Sequence, residues 1–521
     1  MVALFVQFLV LGLLEAARDA VTIDEARYLA SGLAALDHQQ LAGNPHPVLS
    51  RVPAAVPALL ARPAIPVMTV EDMTDDAGFG QRFVELNREN GRLDDAVLLA
   101  RLVPLAEMVI AGGLLLRAVS RRFGANAGMA AVAVWSTSPF VLGMGHLAVT
   151  DGPFVLASLV VLTALDADRV RPTNRSAIVT GLAAGALVLT RHTGLAVVAV
   201  VAVAVARRRA GRRERAVAAA VVVITVWASV WGVYRTLDPN GPGRAAQARI
   251  DALVAGGREQ SAAIRLLLAV PWPPEYAEGL ASLSITQRPE PAFAFGTHWV
   301  GNRWWYWPSA VVVKWPLPTI VAALLGVVLA VRRRVRSAVL PLVMAVAFAA
   351  PVVVQPRDAG VRYLWPALVL AGVAAVAGVA VLRRRWRRTI AAGVVGLQLV
   401  ALWTSAGRSL AWTPWPFTPA YAVTSDSNVD WGQDYGRLVD WARDKQPYVA
   451  YFGALGQGSA TVPGARLLPS DPSRITGWVA VSVTALNSTR YHELAWLRRY
   501  EPVGSLGGSI LIYRFDTPPS Q

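Results

Sequence analysis

The sequence predicts a mainly α, polytopic bundle of about eleven transmembrane helices followed by a small C-terminal α/β domain. Three observations carry this. The 521 residues are 54% hydrophobic and only 16% charged, whereas a soluble domain carries roughly a quarter charged residues. Apolar runs recur at lengths near the roughly 20 residues that a helix needs to cross a bilayer. The basic residues fall in short arginine clusters between alternate runs, as they do in cytoplasmic loops. A formal charge of +16 would suggest nucleic acid in a soluble chain, but clusters scattered between apolar runs make no nucleic-acid patch, and no such partner is expected. Cys is absent, which excludes a disulfide framework and a cysteine metal site.

The elements follow in order. Val2 to Leu14 is apolar, short for a span, and lacks a basic n-region or cleavage-like site, so it reads as a first transmembrane helix clipped by a late start. Residues 20–95 form a hydrophilic first outer loop. Apolar runs then occupy 96–116, 125–149, 154–165, 177–189, 195–206, 216–234, 305–331, 338–354, 364–382 and 389–410. The basic clusters are Arg117, Arg121 and Arg122; Arg169, Arg171 and Arg175; and the stretches 207–215, 332–336 and 383–388. With a cytoplasmic N-terminus every second loop is basic. This topology makes a multi-pass cell-membrane protein whose residues 1–411 form the membrane domain, with Asp24, Glu25, Asp151 and Arg191 on the outer side. Residues 237–303 are too long and polar for a simple connection and read as a partly helical outer flap. Residues 412–521 have the composition of a small extracytoplasmic domain. Within it Trp431 to Asp444 and Thr489 to Tyr500 read as helices, and Tyr448 to Phe452, Trp478 to Val483 and Ser509 to Phe515 as strands.

Charged residues at a membrane surface are costly unless partnered, and they single out the candidate site. Asp24 and Glu25 are adjacent at the end of the first apolar run, and Asp151 stands before Gly152-Pro153 on the same side. Carboxylates from two loops on one face suit base catalysis or a divalent metal, so Asp24, Glu25 and Asp151 are candidate metal ligands as well as catalytic acids. Taken alone, Asp151 reads better as a helix cap. Arg191, Arg303, Lys314 and Arg362 are basic residues where basic residues are disfavoured, which points to an anion such as a lipid phosphate. Snorkelling explains any one of them taken singly. Trp304 and Tyr306 belong to an aromatic run that reads as an interfacial belt or a sugar platform. Three motifs are set aside: Asp166-Ala167-Asp168 lacks a nucleotide fold, Asp426 to Asp430 fails as a calcium loop because Trp431 replaces the needed Gly, and residues 453–458 lack the phosphate-loop order.

Segments spread over nearly the whole chain resemble bacterial members of the protein O-mannosyltransferase and aminoarabinose transferase family, polytopic GT-C glycosyltransferases related to dolichyl-phosphate-mannose-protein mannosyltransferases. They are DEARYLASG from Asp24, NPHPVLSRVPAAVPALL from Asn44, LLARLVPL from Leu98, HLAVTDGP from His146, GNRWWYWPSAVVVKWPLP from Gly301, VRYLWP from Val361, SDSNVDWGQD from Ser425 and EPVGSLGGSILIY from Glu501. The chain departs from that pattern at Arg191, where Lys is expected, and at Val48, where a second Pro is expected. The resemblance implies a GT-C fold, and transfer of a monosaccharide from a polyprenyl-phosphate donor to a protein or envelope hydroxyl, with inversion. It makes Asp24 the general base. Glu25 and Asp151 then orient the acceptor or hold a divalent ion, Arg191, Arg303, Lys314 and Arg362 bind the lipid phosphate, and His46, Trp304 and Tyr306 contact acceptor or sugar.

Two other readings of the residues stay open. A bundle of this size could flip a polyprenyl-linked sugar, although no inverted repeat is visible and Glu107 is the main charge within a run. Alternatively, the membrane part is a scaffold for a glycan-binding C-terminal module.

Overall fold

The computed structural model describes residues 1–519 other than 38–40, 42, 70, 74, 287, 456–461 and 488. Helix α1 (Val2–Arg18) leads to α2 (Ile23–Leu36), α3 (Val52–Ala58) and α4 (Asp76–Glu89). The start of α2 is written in its sequence. The Thr22 hydroxyl accepts from the Glu25 N–H, and the Glu25 carboxylate accepts from the Thr22 N–H, a reciprocal cap. Helix α4 buries Phe79 and Phe83, one turn apart, against α2, each worth about 2 kcal/mol of removed apolar surface. The crossing is close enough that a Cβ on Gly80 would stand 2.9 Å from the Arg27 nitrogen.

The helical body comprises α5 (Leu93–Phe123), α6 (Ala125–Thr137), α7 (Pro139–Gly145), α8 (Asp151–Val170), α9 (Asn174–Thr190), α10 (Leu195–Ala206) and α11 (Arg212–Leu237). After the flap come α15 (Tyr306–Val312), α16 (Leu317–Arg332), α17 (Arg336–Val353), α18 (Trp365–Val379) and α19 (Arg384–Thr404). Each apolar run of the sequence forms a helix or a broken pair. Among the described residues four helices are long and apolar enough to cross a membrane, or up to six if each bent pair is one span. That is fewer than eleven because α6 and α7 bend by 60°, α15 and α16 by 120°, and α1, α9 and α10 have only 12 to 17 residues. The protein is a multi-pass membrane protein.

The flap between is helical, as its sequence suggests: α12 (Arg244–Arg258), α13 (Ala262–Leu268) and α14 (Pro274–Thr286), then an unforeseen hairpin of β1 (Pro291–Ala294) and β2 (Thr297–Val300). The C-terminal region holds α20 (Ala420–Val423), α21 (Tyr435–Ala442), β3 (Tyr448–Ala450), β4 (Arg466–Leu467), β5 (Gly477–Ser482), α22 (Val483–Asn487), β6 (Gly504–Leu506) and β7 (Ile510–Phe515). Its five-stranded sheet runs β4-β3-β5-β7-β6, with β3 parallel to β4 and β5, and β7 antiparallel to β5 and β6. The helix expected from Thr489 is a run of 3₁₀ turns, Thr489–Arg499.

This region is not set apart from the first outer loop. Leu29, Leu33 and Phe83 share one buried cluster with Tyr435, Leu438, Tyr451 and Ile512. Backbone bonds from Ala20 N to Gln433 O at 2.8 Å and Ile23 N to Trp431 O at 3.3 Å stitch the two together. The described residues of 20–95 and 412–519 therefore pack as one layer over one end of the helices.

Candidate active site

The helix ends beneath that layer hold a compact charge cluster. Asp24 stands in the first turn of α2 and Asp151 in the first turn of α8, while Arg191 follows α9 and Arg362 lies in the 3₁₀ turn Val361–Leu364 before α18. Arg362 Nη1 is 3.0 Å from Asp24 Oδ2 and 3.3 Å from Asp151 Oδ2. Arg191 Nη1 is 3.0 Å from the other oxygen of Asp151. Both guanidiniums face the Tyr363 ring, at 4.7 Å for Arg191 and 4.9 Å for Arg362. Asp151 does not cap α8: Thr150 takes the cap position, and the Asp151 carboxylate is turned instead to the two arginines.

Trp431 closes the cluster from the C-terminal region, its ring 4.0 Å from the Arg362 guanidinium carbon. The backbone that carries Arg362 is fixed by Asn428, whose Oδ1 accepts from Val361 N at 2.9 Å. Tyr306 Oη accepts from Gly360 N at 2.9 Å and from Asn428 Nδ2 at 3.3 Å. The segment from Asp426 to Trp431, set aside in the sequence as a failed calcium loop, is therefore a wall of the site. Asp426 itself is half-buried there, and its removal from water raises its pKa despite the nearby Arg362 charge. The glycine-rich stretch 453–458 lies partly outside the described residues.

Glu25 belongs to the framework. Its two oxygens take Arg101 Nε at 2.8 Å and Arg101 Nη2 at 2.6 Å, together with the N–H groups of Thr22 and Ala148 at 2.9 Å each. Burial raises its pKa, but the Arg101 charge and these bonds outweigh burial and hold the carboxyl below its usual range. Arg101, which the sequence reading did not single out, also donates to the carbonyls of Ala16, Asp19 and Ala20, locking α1, α2 and α5 together.

Lys314 sits in the break between α15 and α16 and donates to Leu410 O at 2.7 Å and Trp412 O at 2.9 Å, a tie to the start of the C-terminal region. Arg303 is exposed at the rim, over the rings of Trp299 and Trp305. Trp304 is 80% exposed, which suits the interfacial belt. Of the four basic candidates, only Arg191 and Arg362 converge on the acids. Tyr306, expected against sugar, is buried with its hydroxyl in the Gly360 turn.

His46 lies at the cluster edge, its ring 5.3 Å from Tyr28 edge-on and Nδ1 buried without a hydrogen-bond partner. Burial, then the charges of Arg191, His192, Arg357 and Arg362, push its pKa well below the usual value, which favours the neutral imidazole. Helix α14 of the flap presses on this edge: a Cβ on Gly279 would stand 2.7 Å from His192 Nε2 and 2.9 Å from Pro45 O.

The three acids do not fit a divalent ion. Arg362 already joins Asp24 to Asp151, Glu25 turns to Arg101, and among the described residues no three His, Cys, Asp or Glu side chains form a group that could hold a metal. Two carboxylates bridged by guanidinium lack the anionic donor surplus a divalent cation needs.

The family model for dolichyl-phosphate-mannose-protein mannosyltransferase matches residues 93–234, which run from α5 to α11 and carry Asp151 and Arg191. The resemblance read from the sequence is matched over that stretch. Among solved structures, the chain is similar to apo ArnT from Cupriavidus metallidurans (13% identity, TM-score 0.31, covering 98% of this chain and 97% of that one). It is also similar to the same protein bound to undecaprenyl phosphate (14%, TM-score 0.32, 98% and 97%). A third similarity is to the Archaeoglobus fulgidus oligosaccharyltransferase tethered with an acceptor peptide (9%, TM-score 0.45, 94% and 70%). No curated protein matches the chain.

Proposed function

We propose that this chain is an integral-membrane glycosyltransferase that moves a monosaccharide from a polyprenyl-phosphate donor to an acceptor hydroxyl of a protein or envelope glycan. One observation carries the reading: two carboxylates and two guanidiniums meet at one end of an apolar bundle, at Asp24, Asp151, Arg191 and Arg362. The family match over residues 93–234 supports it. The arginine clusters at the opposite helix ends support a cytoplasmic N-terminus and an outward-facing site.

The chemistry follows from charge. Asp24 takes the proton of the acceptor hydroxyl as its oxygen bonds to the anomeric carbon, and the bond from that carbon to the lipid phosphate breaks. The phosphate leaves with an added negative charge, which Arg191 and Arg362 neutralise through bidentate-capable guanidiniums. One displacement inverts the anomeric configuration. In the resting protein Arg362 holds Asp24 and Asp151; when phosphate draws the guanidinium away, Asp24 is released as base. Asp151 keeps Arg191 oriented throughout. Glu25, Lys314 and Tyr306 act through the framework, while His46 lines the edge where acceptor would approach.

The test is transfer of label from a polyprenyl-phosphate sugar in membranes holding wild type or Asp24→Asn. The variant should lose transfer by about 10²-fold or more at normal expression. Full transfer by the variant would refute the assignment of the base, and lipid translocation without transfer by wild type would replace the enzyme with a flippase.

A further inference from the structure

A second basic recess lies at the same end of the membrane helices. The exposed end of α1, the end of α19 and the turn between β6 and β7 border an open depression of about 380 Å³ that Arg18, Arg408 and Arg437 line. Among the described residues no acidic side chain lines it. Glu15, Asp19 and Asp434 line a much smaller adjoining space that shares Arg408 and Arg437 with the recess, and there Arg437 pairs with Asp19 and Asp434, leaving Arg18 and Arg408 as the recess's unpaired charges among the described residues.

The arginines arrive from three distant stretches of chain, and the backbone is shaped to admit them. Gly407 adopts φ +72°, a conformation that favours glycine, with Arg18 Nη1 close above it. Arg437 Nη2 donates to Gly407 O at 2.8 Å, which ties that loop to α21. Arg18 and Arg408 are exposed, with Arg408 Nη2 reaching only Thr404 O at 3.3 Å. Basic residues are disfavoured at this end of the helices, where the loops opposite carry the arginine clusters.

Apolar surface leads into the recess. On α1, Val6, Val10 and Leu14 are each about half exposed along one stripe that ends a turn before Arg18. On α19, Val400 and Trp403 are exposed one turn before Gly407 and Arg408. A cationic recess capping lipid-facing stripes has the shape of a phospholipid site, with headgroup phosphate among guanidiniums and acyl chains along the helices.

We propose that this recess binds the phosphate headgroup of an anionic phospholipid from the leaflet that faces Asp24. The site is separate from Arg362 and does not depend on the transfer reaction. The same chemistry could bring in free phosphate, so the experiment has an arm for each. Purified full-length protein in neutral detergent is titrated with phosphatidylglycerol, phosphatidylcholine or inorganic phosphate, reading the thermal unfolding midpoint and lipid retention by native mass spectrometry.

Wild type should retain phosphatidylglycerol in preference to phosphatidylcholine, with inorganic phosphate a weak competitor. Arg18→Gln/Arg408→Gln should bind phosphatidylglycerol about tenfold more weakly or worse, and Arg18→Lys/Arg408→Lys should recover much of it. Both arginines are exposed, so folding should survive; if the double Gln variant does not fold, Arg408→Gln alone supplies the comparison. Equal retention of both lipids by wild type, or unchanged phosphatidylglycerol binding in the Gln variants, overturns the proposal. Phosphate that stabilises and competes as well as the lipid overturns its lipid half.

Discussion

Arg362 and Asp24 are joined across the site by a single contact, Nη1 to Oδ2 at 3.0 Å, and the same nitrogen reaches Asp151 at 3.3 Å. In the proposed mechanism, the acid that acts as base is thus held by the cation that receives the leaving phosphate. Donor binding and release of the base become one event, provided the cation is a planar fork able to exchange partners.

Arg362→Lys should therefore lower kcat/KM for donor by at least about tenfold, with a raised donor KM, because an ammonium lacks the fork and the ring-stacking of guanidinium. The check is donor titration in reconstituted protein. Unchanged kinetics would mean that charge alone suffices there.

Trp431 brings the C-terminal region to the Arg362 side of the proposed active site through its ring under Arg362. A desolvated contact of this kind is worth about 2 kcal/mol. Trp431→Ala should raise donor KM by roughly tenfold to thirtyfold, and Trp431→Phe should restore most of it. A scaffold with a separable glycan-binding module predicts no change in donor KM.

Glu25 and Arg101 predict a stability effect. Removing one partner of a buried pair leaves the other charge uncompensated, at about 3–5 kcal/mol. Arg101→Ala should sharply lower the thermal midpoint and the yield of folded protein, whereas Asp24→Asn should leave both near wild type. Thermal unfolding in detergent separates the two outcomes.

Glu278 of α14 gives a pH dependence. Burial pushes its pKa up to about 8, against an unfolded value near 4.5, with Gly43 N and Arg51 only partly opposing burial. Above the unfolded pKa the unfolded state loses its proton first, so folding stability falls as pH rises from about 4.5 to about 8, and the full effect is present beyond that. Glu278→Gln should flatten this slope and raise the thermal midpoint at pH 8 relative to wild type. A midpoint with the same pH slope in wild type and variant would remove Glu278 as its source.

Much of the fold was legible locally. Apolar runs became helices because a helix satisfies its own backbone polar groups where water is scarce. The Thr22–Glu25 cap of α2 is a four-residue pattern readable without tertiary structure. The helical flap and three of the five C-terminal sheet strands were visible in the same way. The 3₁₀ segment and short strands such as Arg466–Leu467 were not, because so few residues carry no period.

Residue chemistry and position in the sequence singled out Asp24, Asp151, Arg191 and Arg362 as charged groups at one end of the bundle. Packing alone decided which of these and their neighbours work together. Adjacent residues on a helix point about 100° apart, so Asp24 turns to Arg362 while Glu25 turns to Arg101. Likewise, Lys314 matched a phosphate ligand by type, but the bend between α15 and α16 directs its ammonium to two carbonyls. Trp431 and Asn428 reach the site only because the C-terminal region folds back on the first loop. Sequence by itself determined which charges had to find partners, since unpaired charge at a membrane is costly. Only the tertiary structure decided who the partners are, because hydrogen bonds and ion pairs depend on distances of about 3 Å that no spacing along the chain encodes.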